Sequence, residues 1–318
     1  MRHGLLSLLA AAAMAVAVST ASAQDAFKVA IGQLEIWSGQ APILGAKAGI
    51  FKKHGITVEN FGTAGAGETV QAVISGSADF GVNVGTQGVL RAFAKGAPIR
   101  VIGADFTGAG DIFFYVRAES SIKSLKDTTE RNTISYSTGG STTHTIVLGL
   151  GKELGIKAVP TSTGGMPATL TAVMSGQIDV GWGSPPFGLR EIEDGKIRVI
   201  AGGNDVPSLR SQTIRVETVN ANVLKTRKDA VLRFVRAFRE TLDWMYADPE
   251  AIRMYAEAIK VPVAIAKTAV EKFQPKEAKQ FDRILDLEGI MTDAVRLKFL
   301  DAPLSKEQVA EFIQIPPR

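Results

Sequence analysis

The chain has 318 residues, with 36 Lys and Arg against 32 Asp and Glu and a formal net charge of +4, and it contains no cysteine. The missing cysteines exclude a disulfide framework, a thiolate metal site and a cysteine nucleophile, and so small a charge gives no indication of nucleic-acid binding. The length exceeds what one hydrophobic core comfortably accommodates and predicts two domains.

Residues 1–23 have the pattern of a secretory signal peptide. Arg2 and His3 supply a basic start, residues 5–18 are mostly apolar, and Ala21-Ser22-Ala23 has the small-x-small pattern typical of a cleavage site. We therefore expect cleavage after Ala23 and an exported protein. Because no cysteine follows to carry a lipid anchor, we expect the protein to be free in the periplasm.

Residues 24–117 are predicted to form the first part of a first lobe, in which strands and helices alternate. The predicted strands are 27–34, 56–61, 99–106 and 112–116, and the predicted helices include 42–53 and 86–95. Alternation of this kind is typical of a parallel sheet covered by helices.

A sequence repeat indicates that a second lobe has the same construction. Residues 63–81 (TAGAGETVQAVISGSADFG) and 163–181 (TGGMPATLTAVMSGQIDVG) agree at nine of nineteen positions without a gap, where composition alone would give about one or two. Each copy predicts a Gly-rich turn, a helix ended by Ser-Gly and a short strand, because glycine readily adopts the left-handed conformation that ends a helix.

The second lobe is predicted to span 118–212, and residues 213–318 to return to the first lobe. Residues 212–219 have a strand pattern, and helical patterns follow 222, among them 230–246 with apolar residues at spacings of three and four. A helical tail without strands of its own must pack on an existing sheet. Two crossings, near 117–120 and 211–215, would then form a hinge.

Turns rich in Gly, Ser and Thr come where ligands bind in such sheets, beyond the carboxyl ends of the strands. The richest is 137–144, STGGSTTH. Most of these turns precede predicted helices, whose free N–H groups and positive dipole ends suit an anion. A single turn of this kind is equally typical of an ordinary helix N-cap, so the prediction of binding depends on several turns meeting at one cleft.

Four further residues have both a functional and a structural interpretation. Trp37 and Trp182 each follow a predicted strand, and either could cover the core or form a wall of the ligand site. Asp79 and Asp179 occupy equivalent places in the repeat, which favours a structural cap on a neighbouring turn over a catalytic pair.

The sequence has few residue patterns typical of a catalytic site. Beyond residue 23 only two histidines remain, His54 and His144, and neither lies in a nucleophile elbow or has a metal-binding spacing. The glycines at 62–67 are in the wrong order for a dinucleotide fingerprint. The sequence therefore disfavours an enzyme.

Several segments carry a family resemblance that covers residues 27–222. The sequences APILGAKAGIFKKHGITVE (41–59), AVISGSADFG, ISYSTGGSTTH and AVMSGQIDVGWGSPP resemble the periplasmic substrate-binding proteins of ABC importers for nitrate, aliphatic sulfonates and taurine. The resemblance implies an α/β, type II periplasmic-binding-protein fold with two Rossmann-like lobes, two hinge crossings and the helical tail on the first lobe.

The resemblance also implies a function and a set of contacts. It implies a monomer without cofactor or metal that captures a small anionic solute, such as a sulfonate, taurine, nitrate or a related acid, and delivers it to a membrane permease and its ATPase. No arginine lies in the turns, but Arg117 and Arg215 near the crossings are candidates to bind the acid. The competing interpretation is an enzyme, or a binder of a pyrimidine precursor, on the same fold that uses His144. The implied ligand contacts are Trp37, Ser38, Gly65, Ala66, Thr86, Gly139, Ser141, Thr142, Met166 and Trp182.

Overall fold

The structure is a computed structural model that describes residues 24–318, so the predicted signal peptide and its cleavage site lie outside the described residues. In chain order the strands are β1 (Asp25–Ile31), β2 (Ile56–Gly62), β3 (Phe80–Gly85), β4 (Ile99–Thr107), β5 (Phe113–Arg117), β6 (Thr133–Tyr136), β7 (Val159–Ser162), β8 (Gly181–Gly183), β9 (Ile197–Gly202) and β10 (Thr213–Asn220). The helices are α1 (Ala41–Lys47), α2 (Ile50–Lys53), α3 (Ala66–Ser75), α4 (Thr86–Ala94), α5 (Thr142–Leu154), α6 (Met166–Met174), α7 (Leu189–Glu193), α8 (Ala221–Thr226), α9 (Lys228–Ala247), α10 (Pro249–Ile259), α11 (Val263–Phe273), α12 (Leu287–Arg296) and α13 (Lys306–Phe312).

Two sheets of matching strand order form the two lobes. The first has the order β2-β1-β3-β10-β4, with β1 parallel to β2 and β3, and β10 antiparallel to both of its neighbours. In the second, β5 lies antiparallel between β8 and β9, and β6 pairs in parallel with β7. Val180, just before β8, joins the two parts, because its N–H donates to the Thr133 carbonyl at 3.0 Å and its carbonyl accepts from the Ser135 N–H at 2.8 Å. The second order is therefore β7-β6-β8-β5-β9, and the predicted fold class is confirmed.

The first crossing between lobes lies earlier than predicted. The predicted boundaries place 112–116 in the first lobe, but β5 pairs with β8 and β9 of the second sheet. The chain therefore crosses at 108–112 rather than at 117–120. The second crossing occupies 203–212, between β9 and β10, and adjoins the predicted position at 211–215.

The repeat corresponds to α3 with β3 and to α6 with β8. Gly76, at the end of α3, and Gly176, just after α6, both have φ of 78°, the left-handed conformation that glycine adopts without strain. The predicted helix at 42–53 is instead divided into α1 and α2, because the chain takes a left-handed conformation at Gly49, with φ of 76°.

The helical tail packs on the first lobe, as predicted. Phe234 of α9 stacks on Phe80 of β3 with ring centroids 3.8 Å apart, and both rings are buried. At the β4 edge of the sheet Ile313, just after α13, forms a parallel bridge with Val101. None of the helices in residues 24–318 is long and apolar enough to cross a membrane.

Candidate ligand-binding site

A small cavity lies between the lobes, just past the carboxyl ends of β1 and β6. Its volume is about 30 Å³, enough for about two water molecules, since one needs roughly 10–15 Å³. Four of the predicted ligand contacts line it: Ala66, Ser141, Thr142 and Trp182. The other lining residues are Gly32, Gln33, Ile36, Asn83, Ile112, Ser137, Thr143 and Arg215.

The N-terminus of α5 forms one wall of the cavity. Ser141 is the N-cap, and its hydroxyl accepts a hydrogen bond from the His144 N–H at 3.1 Å. The N–H groups of Thr142 and Thr143 belong to the first turn, which has no intrahelical acceptor for them. The cavity therefore meets free backbone donors at the positive end of a helix dipole.

Trp182 and Arg215 approach the cavity from different lobes. Each residue is only 2% exposed. The indole Nε1 of Trp182 and the guanidinium Nε of Arg215 are buried and have no hydrogen-bond partner among residues 24–318. Both atoms are donors, and a buried donor without an acceptor is costly. Two residues that line the cavity thus each carry a buried N–H group that a bound acceptor would satisfy.

Arg215 is the arginine near the crossings that reaches the cavity. Its Nη2 donates to Asp111 Oδ1 at 2.6 Å. Burial acts to lower the pKa of Arg215, but the charge and hydrogen bond of Asp111, together with the charges of Asp105 and Glu217, outweigh this effect, and the pKa is raised. Arg117 does not line the cavity; its side chain is 41% exposed and lies 3.5 Å from Glu119.

A buried cluster of charges lies behind the cavity. Asn83 lines the cavity and has φ of 60°; its Nδ2 donates to Asp105 Oδ2 at 2.9 Å and its N–H donates to Glu217 Oε2 at 3.0 Å. Lys279, from the tail, donates to Asp105, to Glu217 at 3.4 Å and to the Ser38 carbonyl at 2.9 Å. Burial and the negative charge of Asp105 raise the pKa of Glu217 to about 8, against the opposing effect of Lys279. Ser38, a predicted ligand contact, therefore supports this cluster instead of lining the cavity.

Two other predicted contacts belong to the hydrophobic cores. Trp37 is fully buried, and its ring meets Tyr246 and Tyr255 edge to face at centroid distances of 5.8 and 5.1 Å. Met166 is fully buried in the core of the second lobe. Trp37 thus covers the core, whereas Trp182 is at the cavity.

The remaining three predicted contacts lie near the cavity without lining it. The Thr86 hydroxyl donates to the Thr213 carbonyl at 2.8 Å, so Thr86 joins α4 to β10. Gly65 lies against Thr138 of the other lobe, whose Oγ1 would be 2.9 Å from a Cβ at this position. Gly139 is exposed, at the edge of the interface.

Glycines allow the two lobes to approach closely beside the cavity. The Gly67 N–H donates across the interface to Thr138 Oγ1 at 2.9 Å. A Cβ on Gly85 would lie 2.7 Å from the Gly140 carbonyl oxygen, and one on Gly88 would lie 2.3 Å from it. Because these neighbours are backbone atoms, the arrangement requires glycine at both positions.

His144 does not line the cavity. Its ring stacks on Tyr136 with centroids 4.4 Å apart, and its Nδ1 accepts a hydrogen bond from the Gly140 N–H at 3.1 Å. Burial, and secondarily the charge of Arg91, lower the pKa of His144. The histidine therefore supports the turn before α5.

The duplicated aspartates have equivalent structural roles. Asp79 Oδ2 accepts from the Lys28 N–H of β1 at 2.7 Å, and Asp179 Oδ2 accepts from the Thr133 N–H of β6 at 2.8 Å. Each aspartate joins its strand to the neighbouring strand, rather than to a turn as the sequence analysis expected.

A larger groove occurs elsewhere, within the tail. It has a volume of about 550 Å³ and lies between α9, α10 and α11. Its walls belong to one lobe, it is open to solvent, and it lacks the donors that converge from both lobes. The interlobe cavity is therefore the candidate ligand site.

The sequence places 83–87 and 106–111 among the turns of the predicted cleft, but Asn83 and Asp111 are not among the predicted ligand contacts. A lone amide within the apolar strand sequence FGVNVG was an available signal for Asn83, because an uncompensated polar group in a buried strand is costly. The contacts of Asp111 with residues 104 and 163 positions away left no comparable local signal.

Comparison with known proteins gives one family and one fold. A family model described as NMT1/THI5 like matches residues 39–252. The alkanesulfonate-binding protein SsuA from Xanthomonas axonopodis pv. citri bound to MOPS has a TM-score of 0.73 at 15% identity, covering 92% of this chain and 98% of that chain. The periplasmic nitrate-binding protein NrtA from Synechocystis PCC 6803 has a TM-score of 0.67 at 16% identity over 91% and 85%. The desulfurization enzyme DSZB has a TM-score of 0.60 at 15% identity over 91% and 96%. No functionally curated protein matches the sequence.

Proposed function

Because the chain belongs to the NMT1/THI5-like family, we propose that it is an exported, periplasmic solute-binding protein of an ABC importer. It captures a small acidic solute between its lobes and presents the closed form to a membrane permease. The solute class is that of the sulfonates, nitrate and related acids, which the names of similar structures also mention.

One observation carries this proposal. The free polar groups that converge on the cavity are N–H donors from both lobes: Arg215 and Trp182 side chains and the first turn of α5. Donors of this kind are matched by an oxyanion with several acceptor oxygens. A solute that bonds to both lobes stabilises the closed state more than the open state, which is the condition for ligand-driven closure.

The volume of the cavity limits the size of the solute that the closed lobes can hold. At about 30 Å³ the closed lobes hold little more than an acidic head group. A solute with a carbon skeleton would therefore bind with the lobes slightly further apart, its acid group at α5 and its remainder toward the mouth of the cleft.

The test is to purify the mature protein, detect any retained solute by native mass spectrometry, and titrate the emptied protein with nitrate, methanesulfonate and taurine. We expect saturable binding of at least one anion and a decrease in the radius of gyration in X-ray scattering. Replacing Ser141 and Thr142 with bulky apolar residues should abolish binding without unfolding. Unchanged affinity in that variant would exclude this location for the site.

The fold shared with DSZB favours an enzyme as the second candidate. An enzyme that uses His144 would need the imidazole at the reacting solute, and this ring is instead stacked on Tyr136 and bonded to the Gly140 N–H. Binding is accordingly the better supported function. Turnover of a retained metabolite that disappears in His144→Gln would favour the enzyme.

A further inference from the structure

Asp111 connects three parts of the molecule at the first crossing. Its carboxylate is fully buried. Oδ1 accepts from Arg215 Nη2 at 2.6 Å, and Oδ2 accepts from Gln274 Nε2 at 2.9 Å and from Ser184 Oγ at 3.3 Å. These donors belong to β10, to the residue just after α11 and to the residue just after β8. One carboxylate therefore joins the return strand, the tail and the second lobe.

Both side-chain donors of the cavity depend on this carboxylate. Arg215 donates to it directly through Nη2, whereas the Nε–H of the same planar guanidinium has no acceptor within the described part of the chain. Trp182 lies two residues before Ser184, at the short strand β8, so the hydroxyl bond of Ser184 anchors the chain next to the indole. Because a guanidinium has a fixed fork of donors, fixing one N–H also fixes the direction of the others.

We propose that Asp111 is a positioning residue that orients the Nε–H of Arg215 and the indole N–H of Trp182 toward the solute. The assignment rests on the proposed function for the identity of the solute, but the orientation itself exists in the empty protein. Since Asp111 also balances the charge of Arg215, the solute meets an array of hydrogen-bond donors rather than an unbalanced cation. The ligand class is therefore an oxyanion recognised by its acceptor oxygens, with affinity that depends weakly on salt, because buried and balanced charges are little screened.

The test uses ¹H–¹⁵N spectra of the full mature protein, in which guanidinium Nε–H and indole N–H signals are observed directly. The chain has three tryptophans, and the two relevant signals are assigned by their loss in Arg215→Lys and Trp182→Phe. In Asp111→Asn we expect both signals to lose protection against solvent exchange, and the affinity for the anion that binds best among nitrate, methanesulfonate and taurine to fall about tenfold to hundredfold.

Asp293→Asn is the matched control. Asp293 is 3% exposed and accepts from Gln212 Nε2 at 2.9 Å and from Arg296 Nε at 2.9 Å, so its replacement also disrupts a buried carboxylate, away from the cavity. We expect both signals and the affinity to remain as in the wild type. If Asp111→Asn behaves like this control, the proposal is wrong.

Removing one partner of a buried ion pair is strongly destabilising, so Asp111→Asn could fail to fold. A second, less disruptive variant is therefore included. Ser184→Ala removes one donor and leaves the Arg215 pair in place. We expect the Trp182 signal to shift while that of Arg215 stays, and a Trp182 signal at its wild-type position would refute the link through Ser184. If none of the three anions binds, the proposed function fails, and the two spectroscopic comparisons still decide the role of Asp111.

Discussion

Replacing Gly88 with alanine should disfavour closure of the lobes without harming the fold. A Cβ at this position would lie 2.3 Å from the Gly140 carbonyl oxygen, about 1 Å short of the 3.4 Å at which ordinary contact begins. The obstruction is backbone, so the neighbour has no side chain to rotate away and the lobes must stay about 1 Å further apart. Overpacking of this kind costs about 1–3 kcal/mol, which lowers the population of the closed form about fivefold to 150-fold.

The stability of the variant should change in the opposite direction from its affinity. Gly88 lies within α4, where alanine is favoured over glycine by roughly 0.5–1 kcal/mol. We expect an unfolding midpoint at or above that of the wild type, together with weaker binding in calorimetric titration and a smaller contraction in X-ray scattering when the anion is added.

Gly151→Ala is the matched control for this prediction. It places the same substitution within α5, where a Cβ would lie at an ordinary 3.5 Å from the Ile156 carbonyl oxygen. Affinity and contraction should be those of the wild type. If Gly88→Ala also binds and contracts normally, the close approach of Gly88 and Gly140 is not part of the bound state, and the reasoning fails.

Three further predictions concern single side chains. Trp182→Phe should weaken anion binding about tenfold in calorimetric titration, because one hydrogen-bond donor to a charged acceptor is lost. Trp37→Phe should lower stability and leave the affinity intact. Equal affinities in the two variants would contradict the assignment of Trp182 to the ligand site and of Trp37 to the core. The pKa of Glu217 is raised from 4.5 to about 8, so between these pH values the folded state holds a proton that the unfolded state has lost. The free energy of unfolding should therefore fall as pH rises from 5 to 8, by up to about 1.4 kcal/mol per pH unit. Glu217→Gln should remove this slope in denaturant titrations, and a slope that persists would show that another group causes it. Asp79→Ala and Asp179→Ala should each reduce the free energy of unfolding by about 1–2 kcal/mol with affinity unchanged, and a loss of binding at wild-type stability would argue for a functional role.

The sequence was sufficient for the repeat and the general architecture because both depend on local patterns. Helix ends at Gly76 and Gly176 are determined by backbone conformation at one residue. The strand at 112–116 was recognised as a strand but assigned to the wrong sheet, since alternation of side chains gives no information on the neighbouring strand.

The two tryptophans show why the site itself was harder to predict. In the sequence, Trp37 and Trp182 each follow a predicted strand, and what distinguishes them is the tail, which brings Tyr246 and Tyr255 over Trp37 from more than two hundred residues away. Lys279 likewise meets Asp105 across a separation of 174 residues. Such pairings depend on tertiary packing, which no local pattern encodes.

The position of β10 determines the order in which the lobes can be completed as the chain is synthesised. All strands of the second sheet lie within residues 113–202, so that lobe can assemble as soon as this stretch has emerged. The first sheet has a gap between β3 and β4 until residues 213–220 arrive, and its inner edges stay open to pairing with other chains during that interval. The first lobe, which contains β1 to β4, is therefore the last to be completed, because it needs β10. It is the part of the protein that most needs protection before folding is complete.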